Sequence, residues 1–241
     1  MKMFRNLKAD EIDVRINQIA SNYCTLLLYK DARCDMNILD ETIGAFNWKR
    51  EHSRDNANCV VSIYDSEKQQ WISKEDTGTE SFSEQEKGLA SDSFKRACVN
   101  WGIGRELYSS PSIIIFPNKE MAPKGKTSEF FENESGKYTT KTRFWVEIID
   151  YDENDNIQDL VIRDNKNHIR FCQLKKEYEN IVFALIKKFK ELLEKAEEKD
   201  KKFDREDFYK QYNATSDETM TFKQIREASG VLEQQLKGSK K

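Results

Sequence analysis

The stretch SDSFKRACVNWGIGRELY (residues 91–108) contains residue types that could bind a phosphate chain. It places Lys95 and Arg96 side by side in a helical pattern, and Arg105 follows a pair of glycines. At 100° per residue, Arg96 lies nearly opposite the apolar stripe of this helix, beside Asp92. The pattern is therefore compatible with a solvated helix face carrying an Asp92–Arg96 pair, or with a cationic surface that holds phosphates.

Further cations lie among aromatic residues in two groups. The first group consists of Tyr29, Lys30, Arg33, Phe46, Trp48, Lys49 and Arg50, and the second of Trp71, Lys74, Lys95, Arg96, Trp101 and Arg105. Single-stranded nucleic acids are held by cationic grooves and by aromatic rings on which bases stack. The groups therefore favour a single-strand binding surface, although Trp48 and Trp101 are better explained as core residues.

Two other phosphate-binding patterns are rejected. GIGR lacks the third glycine of a dinucleotide-binding loop and follows a helix instead of a strand. KGKT (residues 124–127) resembles the end of an ATP-binding loop, but Glu120 stands where that loop needs glycine. A carboxylate at that position would repel phosphate. We therefore expect no nucleotide cofactor.

A metal-dependent nuclease is the alternative from another class of function. Its candidate residues are Asp76, Glu80, Glu84, Glu86 and Asp92, together with Lys87 and Lys95. Such a site needs carboxylates that converge on Mg²⁺. Acidic residues in a first helical turn also stabilise the helix dipole, which explains Glu84 and Glu86 without catalysis. We expect a protein that is not an enzyme and has no metal site.

Composition restricts the class of protein. The chain has 241 residues, 40 basic and 43 acidic, so its net charge of −3 says little about partners unless the cations cluster. The five cysteines show no CxxC spacing and there are two histidines. This pattern favours free thiols over a zinc site. Without an apolar signal sequence or a membrane-length apolar stretch, we expect a cytoplasmic protein with no membrane partner.

Periodicity predicts the elements that position these residues. We expect helices over residues 8–22, from Asn37 to Gly44, from a Ser83/Glu86 capping box to Trp101, and along most of the chain after Leu174. In TFKQIREASGVLEQQL, Thr221 and Gln224 form another capping pair, which predicts a short helix there. Two hairpins are expected, one from NCVVSIYD and QQWISKED and one from RFWVEIIDY and IQDLVIRD. Residues 109–143 are expected to form a loop or excursion. The fold class is α+β, with an antiparallel, hairpin-rich sheet packed on a central helix and a helical C-terminal extension.

Four ordered segments resemble a known family. They are VRINQI, LLLYKDARCDMNILDETIGAFNW, WISKEDTGTES and EKGLASDSFKRACVNWGIGRELY, which lie within residues 12–108. Together they resemble the Rad-fifty-two/Rad-twenty-two superfamily of single-strand annealing proteins, especially its phage and bacterial branch, which includes Sak-type recombinases and the DNA-damage-response A protein. Residues 1–200 would form the annealing core, and residues 201–241 a charged, helical or partly disordered tail.

The resemblance implies a function and its residues. Members anneal complementary DNA strands in recombination and repair without ATP or metal, as rings or filaments that hold single-stranded DNA in a cationic groove. It implies DNA-backbone contacts for Lys95 and Arg96, a first-strand arginine at Arg15, and a DNA or interface contact for Arg33. A hairpin cation of a second DNA surface would lie near Lys68. With Lys30, Lys74 and Arg105 from the aromatic groups, these are the expected DNA-binding residues.

A third hypothesis concerns the C-terminal region. Residues 201–241 could recruit a replication partner, such as a single-strand-binding protein, and this role is compatible with annealing. From residue 173 onward the chain shows no residue-level match to the family, so the recombinase-binding tail of eukaryotic members is not expected.

Overall fold

The computed structural model describes residues 3–79 and 85–238 and divides into two compact units. The first unit comprises residues 1–17, 25–113 and 151–157, and the second comprises residues 18–24, 114–150 and 158–241. The boundary expected at residue 200 lies inside the second unit. The helices after residue 200 share a hydrophobic core with the long helix that ends at Lys199.

Helices and antiparallel strands alternate in groups along the chain, and the predicted α+β class is confirmed. The strands are β1 (Asp13–Ile19), β2 (Cys24–Tyr29), β3 (Trp48–Ser53), β4 (Asn58–Asp65), β5 (Gln70–Thr77), β6 (Ile113–Ile115), β7 (Phe131–Glu132), β8 (Tyr138–Thr139), β9 (Phe144–Tyr151), β10 (Ile157–Asp164) and β11 (Ile169–Gln173). The helices are α1 (Ala32–Ile43), α2 (Gln85–Trp101), α3 (Lys176–Lys199), α4 (Arg205–Lys210) and α5 (Phe222–Gly238).

A three-stranded meander, β3-β4-β5, packs on α2 in the first unit. Its register places Arg50 and Lys74 on either side of Val61, all on one face. That face meets the apolar stripe of α2, where Phe94 and Cys98 are fully buried. The predicted hairpin of β4 and β5 and the predicted helix stripe are confirmed, whereas β3 was not predicted.

The N-terminal segment corrects a sequence-based prediction. The helix expected over residues 8–22 is wrong, because residues 13–19 form β1. Val14 and Ile16 are half-buried and alternate with exposed Asp13, Arg15 and Asn17, which is the period of a strand. The helix ending at Gly44 does form, with its start at Ala32. The Ser83/Glu86 capping box lies outside the described side chains.

The second unit combines strands with a helical core. β9, β10 and β11 are neighbours in that order, and the expected hairpin of β9 and β10 is confirmed. The helices α3 and α5 pack together, with Phe189, Leu193 and Leu232 fully buried between them and α4. Among the described residues, no helix is long and apolar enough to cross a membrane.

A capping box starts α5. The Thr221 backbone N–H donates to Gln224 Oε1 at 2.7 Å, and the Gln224 N–H donates to Thr221 Oγ1 at 3.2 Å. This reciprocal pair, predicted from the TFKQ sequence, satisfies two backbone donors at the helix start.

We expect Thr221→Ala to lower the free energy of unfolding by about 1 kcal/mol, because it removes the side-chain acceptor of the cap. Urea unfolding followed by circular dichroism measures the loss. Lys223→Ala, an exposed change in the same turn, is the control and is expected to stay within about 0.5 kcal/mol of the parent. Equal losses in both variants would contradict a specific capping role.

Candidate nucleic-acid interface

A cleft of about 420 Å³ lies in the first unit between α1, α2 and the edge strand β3. We call it the α1–α2 cleft. Its lining residues are Tyr29, Lys30, Asp31, Ala32, Arg33, Met36, Arg50, His52, Ala90, Ser91 and Lys95. Three predicted DNA-binding residues, Lys30, Arg33 and Lys95, thus meet here, although the first two are more than 60 positions from Lys95. Two of the four segments, those that contain Arg33 and Lys95, contribute residues to the cleft.

Local structure explains how α1 begins at the cleft. β2 ends at Tyr29, and Asp31 then caps α1 by accepting a hydrogen bond from the Cys34 N–H at 2.8 Å. Arg33 therefore lies in the first turn of the helix. The amino-terminal end of a helix carries a partial positive charge, which adds to the cations of the cleft.

The cations of the cleft are held by weak contacts. Arg33 is 84% exposed and lies 3.7 Å from Asp31. Lys95 Nζ lies 4.0 Å from Asp92 Oδ1, at the limit of an ion pair. The Arg50 guanidinium lies over the Phe94 ring, 4.7 Å from its centroid. Such contacts in solvent contribute little stability, so these groups can exchange them for phosphate oxygens at small cost.

Arg15 lies on the strand that precedes this region. Its guanidinium lies over the Tyr29 ring, 5.6 Å from the centroid, and its side chain is exposed on β1. Tyr29 also lines the cleft. Arg15 is therefore placed next to the cleft, where a cation–π contact orients it while leaving N–H groups toward solvent.

Lys30 occupies a different environment from the one expected. Its side chain is buried, and its ammonium pairs with the buried carboxylate of Asp35. Burial raises the pKa of Asp35 to about 6 despite the neighbouring lysine charge. Because its ammonium is buried and already paired, Lys30 is not available to contact a DNA phosphate at the surface. Its role in this structure is to pair with Asp35 in the interior.

Gly104 explains part of the GIGR sequence. Its φ is +72°, and a Cβ at this position would lie 2.2 Å from Lys30 Cε and 2.7 Å from Lys30 Cδ. Glycine therefore provides space for the buried lysine stem as well as the left-handed turn. GIGR is a packing feature in this fold.

The side chains of the adjacent residues Lys95 and Arg96 point to different surroundings, and only Lys95 lines the α1–α2 cleft. Arg96 Nε lies 3.5 Å from Asp76 Oδ1 on β5 and is directed away from the cleft. The expected i, i+4 pair of Asp92 with Arg96 is replaced by the Asp92–Lys95 contact. Lys68, in the turn between β4 and β5, is exposed and pairs with Asp65 at 3.1 Å. Neither Arg96 nor Lys68 lines the α1–α2 cleft.

Lys74 and Arg105 meet at the carboxyl end of α2. Lys74 Nζ donates to the Asn100 carbonyl at 2.8 Å, and Arg105 donates to the carbonyls of Val99 and Asn100 at 3.0 and 3.2 Å. Lys74 also lies over the Trp101 ring, 4.5 Å from its centroid. Both cations satisfy the last helical carbonyls and line a separate cleft of about 760 Å³. Their first role is helix capping.

Trp48 and Trp101 make packing contacts within the first unit, whereas Trp71 lies at the surface. Trp48 stacks on Phe94 at 6.1 Å, and Trp101 donates from its indole to the Val61 carbonyl at 3.0 Å. Trp71 is 42% exposed and forms an edge contact with Tyr64 on the opposite face of the meander.

Two cleft residues were absent from the expected site. Arg50 and His52 alternate on β3, and both project to the cleft. Arg50 belonged to the first aromatic–cation group, but the strand that aims it was not predicted. The period-two pattern of Trp48, Arg50 and His52 was the available signal.

The nuclease carboxylates serve other contacts where they are described. Asp76 accepts from Asn100 and pairs with Arg96, and Asp92 accepts from the Thr79 N–H at 3.0 Å. Within residues 3–79 and 85–238, no three His, Cys, Asp or Glu side chains form a group suited to a metal ion. The predicted Glu80 and Glu84, and the side chains of Glu86 and Lys87, lie outside the described part.

Comparison with known proteins adds no assignment. No protein-family model, curated protein or solved structure matches this chain.

Proposed function

We propose that the chain binds single-stranded DNA and anneals complementary strands without ATP, as a homo-oligomeric ring or filament in recombination or repair. The observation that carries the proposal is the α1–α2 cleft, where Arg33, Arg50 and Lys95 converge beside the start of α1. The annealing role and the oligomer rest on the sequence resemblance, and the cleft supplies a physical means of holding the strand.

Annealing needs a surface that holds phosphates while most bases stay available for pairing. Exposed Arg33 and half-exposed Lys95 supply such contacts, and Arg15 extends the cationic surface from β1. A few contacts per protomer bind weakly, but repetition along an oligomer multiplies them through effective concentration. This arrangement allows an acidic chain to bind DNA, because its cations are locally concentrated.

We expect the double variant Arg33→Ala/Lys95→Ala to bind single-stranded DNA at least about tenfold more weakly at low salt, with a salt slope reduced by about 1.4, because two phosphate contacts are lost. Fluorescence anisotropy across a salt series measures both quantities. The same variant is expected to lose strand annealing in a complementary-oligonucleotide fluorescence assay.

The control removes two exposed cations from the second unit. Lys188 on α3 and Lys210 on α4 each pair with a single acid, so Lys188→Ala/Lys210→Ala changes the net charge by the same amount. Its DNA affinity should remain within about twofold of the parent, since no cleft contact is lost. Equal weakening in both double variants would show only a net-charge effect and would contradict the cleft assignment.

The nuclease alternative makes an opposite prediction for the same DNA. It requires Mg²⁺-dependent cleavage products that disappear in Asp76→Ala. The proposal expects intact strands with and without Mg²⁺.

A further inference from the structure

The α1–α2 cleft contains a polar atom that phosphate binding does not explain. In the described part of the chain, His52 Nδ1 is buried and has no hydrogen-bond partner. Buried polar groups are almost always paired, and an unpaired one costs free energy. His52 lines the cleft, so a turn of its ring about the soft χ2 torsion can present Nδ1 to a molecule in the cleft that supplies the missing partner.

The imidazole of His52 is suited to a neutral partner. Burial, together with the nearby Arg50 charge, lowers the pKa of His52 below its usual range. The ring is therefore neutral at neutral pH, and Nδ1 forms one hydrogen bond as donor or acceptor, according to the tautomer. A neutral ring nitrogen is a poor ligand for phosphate compared with the arginines beside it, but it matches the edge of a nucleobase.

The volume and lining of the cleft suit a heterocycle of nucleobase size. Its volume of about 420 Å³ falls in the range of small-molecule sites. Apolar wall is provided by Ala32, Met36 and Ala90, next to the Tyr29 ring. Arg33 and Lys95 supply charge to the same cleft, so one site combines apolar lining, a hydrogen-bonding ring and cations.

We infer that each protomer inserts one nucleobase of the bound strand into the α1–α2 cleft, with the base edge bonded to His52 Nδ1 and the flanking phosphates on Arg33 and Lys95. This inference rests on the proposed function and deepens it. An inserted base would fix the register of the strand on each protomer, whereas the bases between protomers would stay free to pair.

The test compares two strands of equal length, oligothymidylate and the same backbone made of abasic residues, on the full chain. We expect the parent protein to bind the base-bearing strand about fivefold or more tightly than the abasic strand. His52→Ala should lose most of this preference with unchanged affinity for the abasic strand, which shows that the fold and the phosphate contacts remain. His52→Asn, whose amide places a polar atom near the Nδ1 position, should retain part of the preference.

Two outcomes would overturn the inference. An equal preference for bases in the parent and in His52→Ala would mean that bases are read elsewhere and that His52 Nδ1 is satisfied by water. Equal binding of both strands by the parent would also remove the inserted base while leaving the phosphate surface intact. Failure of the parent to bind either strand at low salt would instead overturn the proposed function itself, and this inference with it.

Discussion

Replacing Gly104 by alanine is expected to lower the free energy of unfolding of the first unit by about 3 kcal/mol or more, because two effects add. Alanine is strained at a φ of +72°, and its Cβ would overlap the Lys30 stem. Lys30 must then move, and the buried carboxylate of Asp35 loses the cation that compensates it. Denaturant unfolding followed by tryptophan fluorescence measures the change.

Gly102 provides a matched control two residues away. Its φ is +102°, but a Cβ there would meet no atom within 4 Å. Gly102→Ala therefore carries the backbone strain alone, expected at about 1–2 kcal/mol. If the two alanine variants lost the same stability, the packing of Lys30 against Gly104 would not be responsible for the larger effect.

The second large effect concerns Arg170 in the second unit. Its guanidinium donates to both oxygens of Glu129 at 3.0 and 2.8 Å and to Asp164 Oδ2 at 3.1 Å, and both carboxylates are fully buried. It also donates to the Phe116 carbonyl at 2.7 Å. One side chain thus anchors the segment around residues 116–129 to β11.

We expect Arg170→Met to lower the free energy of unfolding by about 3–5 kcal/mol, because two buried carboxylates lose their counter-charge. Hydrogen exchange followed by mass spectrometry should show faster exchange in residues 116–131, where the anchor is lost. Arg170→Lys keeps the charge without the two-pronged geometry, so an intermediate loss is expected.

Arg205→Met is the control for loss of an arginine ion pair. Arg205 pairs with Glu197 at 2.6 Å, and both side chains are partly exposed. Exposed pairs contribute about 1 kcal/mol or less. A loss at Arg170 no larger than that at Arg205 would show that the buried network does not depend on its arginine.

Local patterns in the sequence were sufficient for several elements. The apolar stripe of α2, the β4–β5 hairpin and the Thr221/Gln224 capping box each depend on residues a few positions apart, and all three form. The helix predicted for the N-terminal segment is wrong, because two patterns overlap there. Ile12, Ile16 and Ile19 have the spacing of a helix, whereas Val14 and Ile16 have the spacing of a strand. Pairing with neighbouring strands decides such cases, and it is not encoded locally.

The candidate site was predictable only in part, for the same reason. Arg33 and Lys95, from different segments of the sequence, line one cleft, and charge type alone does not reveal which cations are buried. Lys30 follows an aromatic residue, a pattern that also fits a surface cation. Its side chain is nevertheless buried, because Asp35 pairs with its ammonium and Gly104 leaves space for its stem. Lys74 and Arg105 are 31 positions apart, and both donate to carbonyls at the carboxyl end of α2. The residues next to either one in the sequence do not predict this contact.

The distribution of thiols determines where the chain can be labelled chemically. Four of the five cysteines are buried, and burial raises the pKa of Cys24 and Cys34 to about 12 and of Cys59 to about 11. Cys172, on β11, is exposed. Since the thiolate is the reactive form, maleimide reagents at neutral pH will select Cys172. A fluorophore attached there leaves every residue of the α1–α2 cleft unmodified, so a label at Cys172 can test whether protomers assemble on a DNA strand without any added cysteine.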